Sequence, residues 1–374
     1  MSSAKELFKL LRLPFASGEY LFQQLPQEHP DMVRNEFLLP YLEEAKQYHM
    51  MPARQSDFVS YSTSQRKSSL YEDVLIAVAG YKSVDNSTRQ VSAYSLNRKT
   101  WSSMSMIPFD VGRGFATCTY GQSSIFISGG NRHSPYFLKF DGNTNKWCNL
   151  DDIPSRQVQH NMIAVDKSVF LLGGLTYARI DGMWQFQDKS QKNVHCYDIQ
   201  EDKWREAGDL VHPVYGASCA VFRGKILIIG GKINCLSPER ILAIQCYNPR
   251  SCYTTVITTN HNLQSPLQTN GFDNNILLVS IDKKIMHVDP ERTTLREIGH
   301  VRDFESHSFG VARQQNKLFI LGGRARNEED RIRDCMVSYD MDSNVCDRFS
   351  MPFKRWDFGF VKIIVKKSFL QNEI

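Results

Sequence analysis

The chain has 374 residues, 41% of them hydrophobic and 23% charged, which is enough apolar material for a substantial core and excludes disorder as its main theme. Lysine and arginine number 45 against 40 aspartate and glutamate, a formal charge of +5. That excess is too thin to require a nucleic-acid partner, and the length alone fits two ordinary domains or one large all-β domain.

In chain order, the first fifty residues carry helical patterning. Ala4 to Leu13 is a short apolar and basic stretch stopped by Pro14, and Gly18 to Leu25 is a second ended by Pro26. Met32 to Tyr48 is a third, with Val33, Phe37, Tyr41, Leu42, Ala45 and Tyr48 near helical spacing despite Pro40. A polar stretch from Arg54 to Glu72 follows as a linker. The N-terminus carries Lys5 and Glu6 where a signal peptide needs its apolar run, and runs such as Val74 to Ala79 are about a quarter of a membrane span. The expectation is a soluble chain without membrane insertion. Nine cysteines without any Cys-x-x-Cys predict free thiols in a reducing compartment, cytoplasm or nucleus.

From residue 73 the pattern changes to short β-type runs ending in two small residues. They end at Ala79-Gly80, Gly129-Gly130, Gly173-Gly174, Gly230-Gly231 and Gly322-Gly323, and Asn275 to Ser280 is a sixth run that has lost its glycines. Successive anchors lie 50, 44, 57, 49 and 43 residues apart. A second marker travels with the first, an aromatic followed seven residues later by tryptophan: Tyr94 and Trp101, Phe140 and Trp147, Tyr197 and Trp204. It decays through Cys246, Tyr247 and Tyr253 to the fifth and sixth copies. This period of β-type runs predicts propeller blades, because one four-stranded blade cannot bury both faces and stacking around an axis solves that. A WD-repeat assignment is the nearest rival, but Trp356-Asp357 is a single occurrence.

The glycine pairs, Tyr197-Asp198, Tyr339-Asp340 and Phe140-Asp141, and the spaced tryptophans resemble the kelch repeat of the BTB-BACK-kelch family. The resemblance covers residues 70 to 365 and implies an all-β, six-bladed kelch propeller. Strands are predicted ahead of each middle run: Arg113 to Tyr120, Gln157 to Val165, Val214 to Phe222, Leu263 to Gly271 and Ser306 to Ala312. The first run lacks such a predecessor, whereas Arg355 to Ile364 has that character with no glycine pair after it, so it is expected to complete the first blade. Residues 38 to 55 are similar to the end of a BACK domain, and nothing upstream resembles a BTB domain. The expected organisation is a BACK-like remnant over 1–53, a linker over 54–72, the propeller over 73–365 and a tail over 366–374.

No catalytic constellation is visible. The ten histidines show no His-x-x-x-His or His-x-Glu, no Gly-x-Ser-x-Gly is present, and no cofactor or metal site is expected. The expected site is the face where the innermost strands begin, since loops from all blades converge there. Counting seventeen back from each second small residue gives Arg113, Gln157, Val214 and Ser306, with Arg355 at the closing strand. With neighbours, the partner-binding candidates are Arg113, Arg156, Gln157, His160, Tyr215, His307, Phe309, Arg355 and Trp356. Arginine offers bidentate carboxylate pairing and the aromatics rigid contact; the competing role for each is a blade-edge residue bonded to a neighbouring loop. The segment from Leu175 to Asn193 lengthens the third blade, and Tyr177, Trp184 and Phe186 on it are secondary contacts, the competing expectation being a loop folded back over the blade. The loop from Arg324 to Asp334 mixes charge signs and reads as solvated.

The resemblance implies a substrate-recognition part of a cullin-3 ubiquitin-ligase adapter, not an enzyme, with a protein or peptide ligand on the central face. Cullin-3 contact is expected only through a form or partner that carries BTB. A cytoskeleton-associated interaction protein is the alternative, and an enzyme assembled from distant propeller loops is a further one.

Overall fold

The computed structural model describes residues 11–374 apart from 59, 61, 64–68, 131–133, 182, 236–242, 259–267, 273–274, 293, 303, 305, 326–330 and 372. Six four-stranded antiparallel sheets form six blades. From inside outward, blade one consists of Gly359–Lys366, Tyr71–Val78, Val91–Ser95 and Trp101–Met104. The inner strands of blades two to six are Ala116–Tyr120, Asn161–Val165, Ser218–Phe222, Gln268–Phe272 and Gly310–Gln314. Each inner strand packs beside the next and the sixth returns to the first, so the ring is closed. The closing strand pairs with Tyr71–Val78 over eight residues, from Tyr71↔Lys366 to Val78↔Gly359, and a barely exposed ion pair between Lys362 and Asp73, 3.2 Å long, lies along it.

Among the described residues the main core of the propeller is six separate clusters, one per blade-to-blade interface. Ile125 and Ile127 pack towards blade one, while Phe126 between them packs towards blade three. Phe170 and Leu172 likewise face blade four, and Val169 and Leu171 face blade two. Side chains alternate across a strand, so a strand sandwiched between two neighbours must be apolar on both faces. This is the reason the runs before the small pairs are continuously hydrophobic. The aromatic and tryptophan markers are direct cross-strand neighbours in the outer half of a blade, with ring centroids 5.1, 5.1 and 5.2 Å apart. Two of the indoles also donate to the preceding blade's exit chain, Trp147 to Ser105 O and Trp204 to Asp151 O, each at 2.9 Å.

The helical segment differs from the sequence pattern. Residues 4–10 of the first expected helix lie outside the described residues, and the third divides into Pro30–Val33 and Leu39–Met50. Pro40 stands in the first turn of the longer helix, where its missing N–H costs nothing, so it starts that helix rather than sitting inside it. Leu21, Leu25, Leu38, Leu42 and Ala45 make a small core of their own. The 3-10 turn Pro52–Asp57 then packs on the inner strands of blades two and three, and Ala53 joins Ala116 and Cys118 in their core. The helices therefore sit at the end of the ring opposite the glycine pairs.

Candidate functional site

The glycine pairs build the joints between blades. Gly130 N donates to Gln157 O at 2.9 Å, Gly174 N to Val214 O at 2.7 Å and Gly323 N to Arg355 O at 2.9 Å, each acceptor belonging to the next blade. A Cβ on Gly174, whose φ is +96°, would lie 2.7 Å from His160 Cβ, so both backbone conformation and space demand glycine there. The degenerate fifth blade solves the same problem differently. Its pair is Ser280-Ile281, and the wholly buried Lys283 reaches round to donate to Ile281 O at 2.7 Å and Ser306 O at 2.8 Å. Its ammonium also lies 3.6 Å from the Phe309 ring centroid.

Two residues before each described inner strand of blades one to four and six, the chain takes a left-handed conformation: Gly114, Gln159, Gly216, Ser308 and Asp357, with φ between +49° and +69°. These residues link in sequence around the mouth of the central channel. Asp357 N donates to Ser308 O at 3.1 Å, Gly114 N to Asp357 Oδ2 at 3.2 Å, Gln159 N to Gly114 O at 2.6 Å and Gly216 N to Gln159 O at 2.9 Å. Burial raises the Asp357 carboxyl pKa against the lowering influence of the Gly114 N–H and Arg113. Behind the mouth the channel is a cavity of about 650 Å³.

Beside the mouth, at the seam of blades six, one and two, an arginine and aromatic cluster stands. The Arg113 guanidinium lies 4.8 Å from the Tyr81 ring centroid and 5.1 Å from that of Trp356, and Arg324 covers Trp356 at 5.5 Å. Tyr81 and Trp356 are 5.7 Å apart, and His307 is 6.5 Å from Trp356. Arg113 donates to Val84 O and Trp356 Nε1 to Ser83 O at 3.3 Å, which fixes the stack. Burial holds His307 below the ordinary imidazole range and raises the Tyr81 phenol. Three members are among the sequence candidates, and Tyr81 and Arg324 are additions. Their signal is the position after the glycine pair: Tyr81 bridges to Trp356, Lys232 to Tyr215 and Arg324 to His307.

The remaining candidates separate from this cluster, and the count of seventeen needs correction. Tyr120↔Ser124 encloses a three-residue turn, whereas Val165↔Ser168 and Phe222↔Lys225 enclose two. One extra residue shifts Arg113 into register with Val158, Tyr215, His307 and Trp356 instead of with Gln157, Val214, Ser306 and Arg355. The latter four are buried at the joints, and Arg355, fully enclosed, donates to Ala79 O at 2.8 Å and Gln90 O at 3.1 Å. Desolvation lowers its pKa to about 10. Gln157, His160, Phe309 and Arg355 are buried, His160 and Phe309 against the channel cavity, and Tyr215 and Trp356 show only an edge. His160 hydrogen-bonds Ser128 Oγ at 2.9 Å, and burial lowers its pKa to about 3. Arg156 is half-buried, away from the cluster.

The extension of blade three is a hairpin rather than a loop. Leu175–Ile180 pairs with Met183–Phe186 and, on its other side, with Gln157–Val158. Tyr177 packs with Val158, Leu175 and Tyr215 and meets Phe186 edge-on at 5.5 Å. Phe186 is 41% exposed; Trp184 is placed by its backbone opposite Arg179, its side chain lying outside the described residues. The Asp181-Gly182 pair between apolar residues was the missed signal, because Asp-Gly favours two-residue hairpin turns. Part of the loop from Arg324 to Asp334 lies outside the described residues. Among the described residues no group of three His, Cys, Asp or Glu could hold a metal, and no helix is long and apolar enough to cross a membrane.

Several curated proteins are similar to the chain over much of its length. Kelch-like protein 38 of Danio rerio is 23% identical over 380 residues, covering 96% of this chain. Kelch-like protein 35 of Mus musculus is 25% identical over 63% of it, and kelch-like protein 6 of Homo sapiens 22% over 60%. The chain is similar to kelch-like proteins. Its matches span 61%, 39% and 35% of those relatives' own lengths. No family model matches the chain. Among solved structures, "Structure of YjhT" superposes with a TM-score of 0.58 at 11% identity, covering 69% of this chain and 89% of that one; at that identity the likeness concerns the fold alone. Within the kelch-like fold, the cluster around Trp356 occupies the seam where the last strand meets the first.

Proposed function

We propose that this propeller is a non-catalytic protein-binding module that holds a peptide segment at the channel mouth, between Arg113, Tyr81, Trp356, His307 and Arg324. The observation that carries the reading is the exposed Arg113 guanidinium pinned by two rings beside Arg324. A guanidinium held in place by stacking loses little freedom when it binds, and arginine with aromatics is the composition of interface hot spots. In line with the kelch-like relationship, the module serves as the substrate-recognition part of a cullin-3 ubiquitin-ligase adapter in the cytoplasm or nucleus. Cullin-3 contact is made by a BTB-containing form or partner.

Affinity capture with the full chain beside Arg113→Ala and Arg324→Ala tests this. The same partner should be lost in both variants while the melting temperature stays within about 1 °C, as for surface substitutions. Retention of every partner by both variants refutes binding at the mouth. Partner complexes without cullin-3, even when BTB-bearing proteins are present, select a cytoskeletal or structural role instead.

A further inference from the structure

The wall of the channel carries a buried cation without a counter-charge among the described residues. Three residues on from the first residue of the inner strands of blades one to four and six stand Lys362, Thr119, Ala164, Val221 and Arg313, and all five line the cavity. Two of these positions hold cations. Lys362 is answered by Asp73 at 3.2 Å, which blade one supplies because Tyr71–Val78 extends beyond Leu75, the partner of Lys362. Blade six turns back at that point instead: Gln314↔Lys317 encloses Gln315 and Asn316, both exposed, so no carboxylate stands where Asp73 does. Arg313 is only 9% exposed. Its Nε donates to Gln315 O at 2.9 Å, and its Nη1 is enclosed with no hydrogen-bond partner among the described residues. Burial alone lowers its pKa, with no carboxylate acting against it. Arg313 shares a strand face with Val311, which packs towards blade five, and the inner strand there, Gln268–Phe272, contains no acidic residue.

A guanidinium enclosed to this extent is normally paired. We infer that the channel binds a small free oxyanion, a phosphate or a carboxylate, through Arg313. The planar fork of arginine meets either group with two parallel hydrogen bonds. The bond from Nε to Gln315 O anchors the head and leaves its terminal nitrogens for the ligand. At the same depth blades two to four contribute Thr119, Ala164 and Val221, so an oxyanion there meets no unpaired negative charge among the described residues. Arg313 lies about 10 Å along its strand from Gly310 at about 3.3 Å per residue, deeper than an acidic side chain reaches from a peptide lying across the mouth. A free anion is therefore the ligand that fits, and a cavity of about 650 Å³ is of the size that encloses one. This site is separate from the cluster around Trp356 and does not depend on what that cluster binds.

Calorimetric titration of the full chain with inorganic phosphate and with acetate, each against sodium chloride at equal ionic strength, tests the inference. At least one of the two should bind at a single site and raise the melting temperature relative to chloride. The tighter of the two assigns the ligand as a phosphate or a carboxylate. Arg313→Leu should weaken that binding at least about tenfold, the effect of one charged hydrogen bond. Arg313→Lys keeps the charge but loses the fork and should weaken it about threefold. In chloride alone Arg313→Leu should melt at or above wild type, because it removes an unpaired buried charge, so its loss of binding is not a loss of fold. The double variant Arg113→Ala, Arg324→Ala should bind the anion as wild type does. Absence of binding at up to about 20 mM of either anion, unchanged affinity in Arg313→Leu, or loss of binding in the double variant overturns the inference. So does an Arg313→Leu variant that melts far below wild type in chloride, which would make the guanidinium a structural tie rather than an anion site.

Discussion

Lys283→Met isolates the device that replaces a glycine pair. The substitution keeps most of the side-chain volume and removes the ammonium that donates to Ile281 O and Ser306 O and sits 3.6 Å from the Phe309 ring centroid. Hydrogen bonds from a charged donor contribute about 1.5–3 kcal/mol each, and a desolvated cation–ring contact about 2 kcal/mol. Against this stands the desolvation of a buried ammonium, several kcal/mol in effective terms. The substitution leaves two carbonyls in the joint without that donor, and Ser306 is fully enclosed. The net expectation is a loss of about 2–4 kcal/mol, because leaving acceptors unpaired is the dominant cost. With unfolding entropy near 2.1 cal/mol/K per residue, a domain of about 300 residues should melt about 3–6 °C lower. Calorimetry of wild type and variant reads this directly. A variant melting at or above wild type would show that desolvation outweighs the tie, and would refute the claim that Lys283 replaces a glycine-pair joint.

Other consequences are equally direct. Burial lowers the pKa of His160 to about 3, so between that value and an unfolded-state value near 6.5 the unfolded chain binds the extra proton and stability falls as pH falls. This residue alone should remove about 2 kcal/mol at pH 5 relative to pH 7; an identical pH dependence of the urea midpoint in His160→Gln would contradict it. Gly174→Ala, with its Cβ 2.7 Å from His160 Cβ, should cost at least 3 kcal/mol, whereas Gly224→Ala, with φ of +73° but nothing within 4 Å, should cost about 1 kcal/mol. Equal costs would mean that conformation alone explains the glycines. Removal of residues 355–374 should abolish the cooperative melt, because Tyr71–Val78 becomes an unpaired edge; a truncated chain with the full-length melting profile would show that ring closure is dispensable.

The all-β propeller was legible because its repeats are constrained twice, by apolar runs that face two neighbours and by small pairs at a crowded joint. The mouth was less so. Equivalent positions there are found by counting across a turn, and one residue in Gly121–Ser123 displaced Arg113 from its true partners. Burial was also illegible at Arg355, since an arginine in a sequence reads as exposed until its carbonyl acceptors are known. Tyr81 and Arg324 escaped because the residue after the small pair varies freely in type and gains meaning only once its bridge across to the inner strand is seen. Asp181-Gly182, by contrast, was a readable turn inside a segment treated as a loop.

The pairing of the closing strand also has a mechanical meaning. Tyr71 and Lys366 are partners, so the chain enters and leaves the propeller at the same end of one sheet. Tension between segments attached at these two points loads the eight-residue seam as a zipper, one pair at a time, rather than in shear. The last pairs to part are Val78↔Gly359 and, beyond them, Tyr81 and Trp356. Pulling on the chain ends would therefore peel the blade from the helical side while the rim at the channel mouth kept its shape longest.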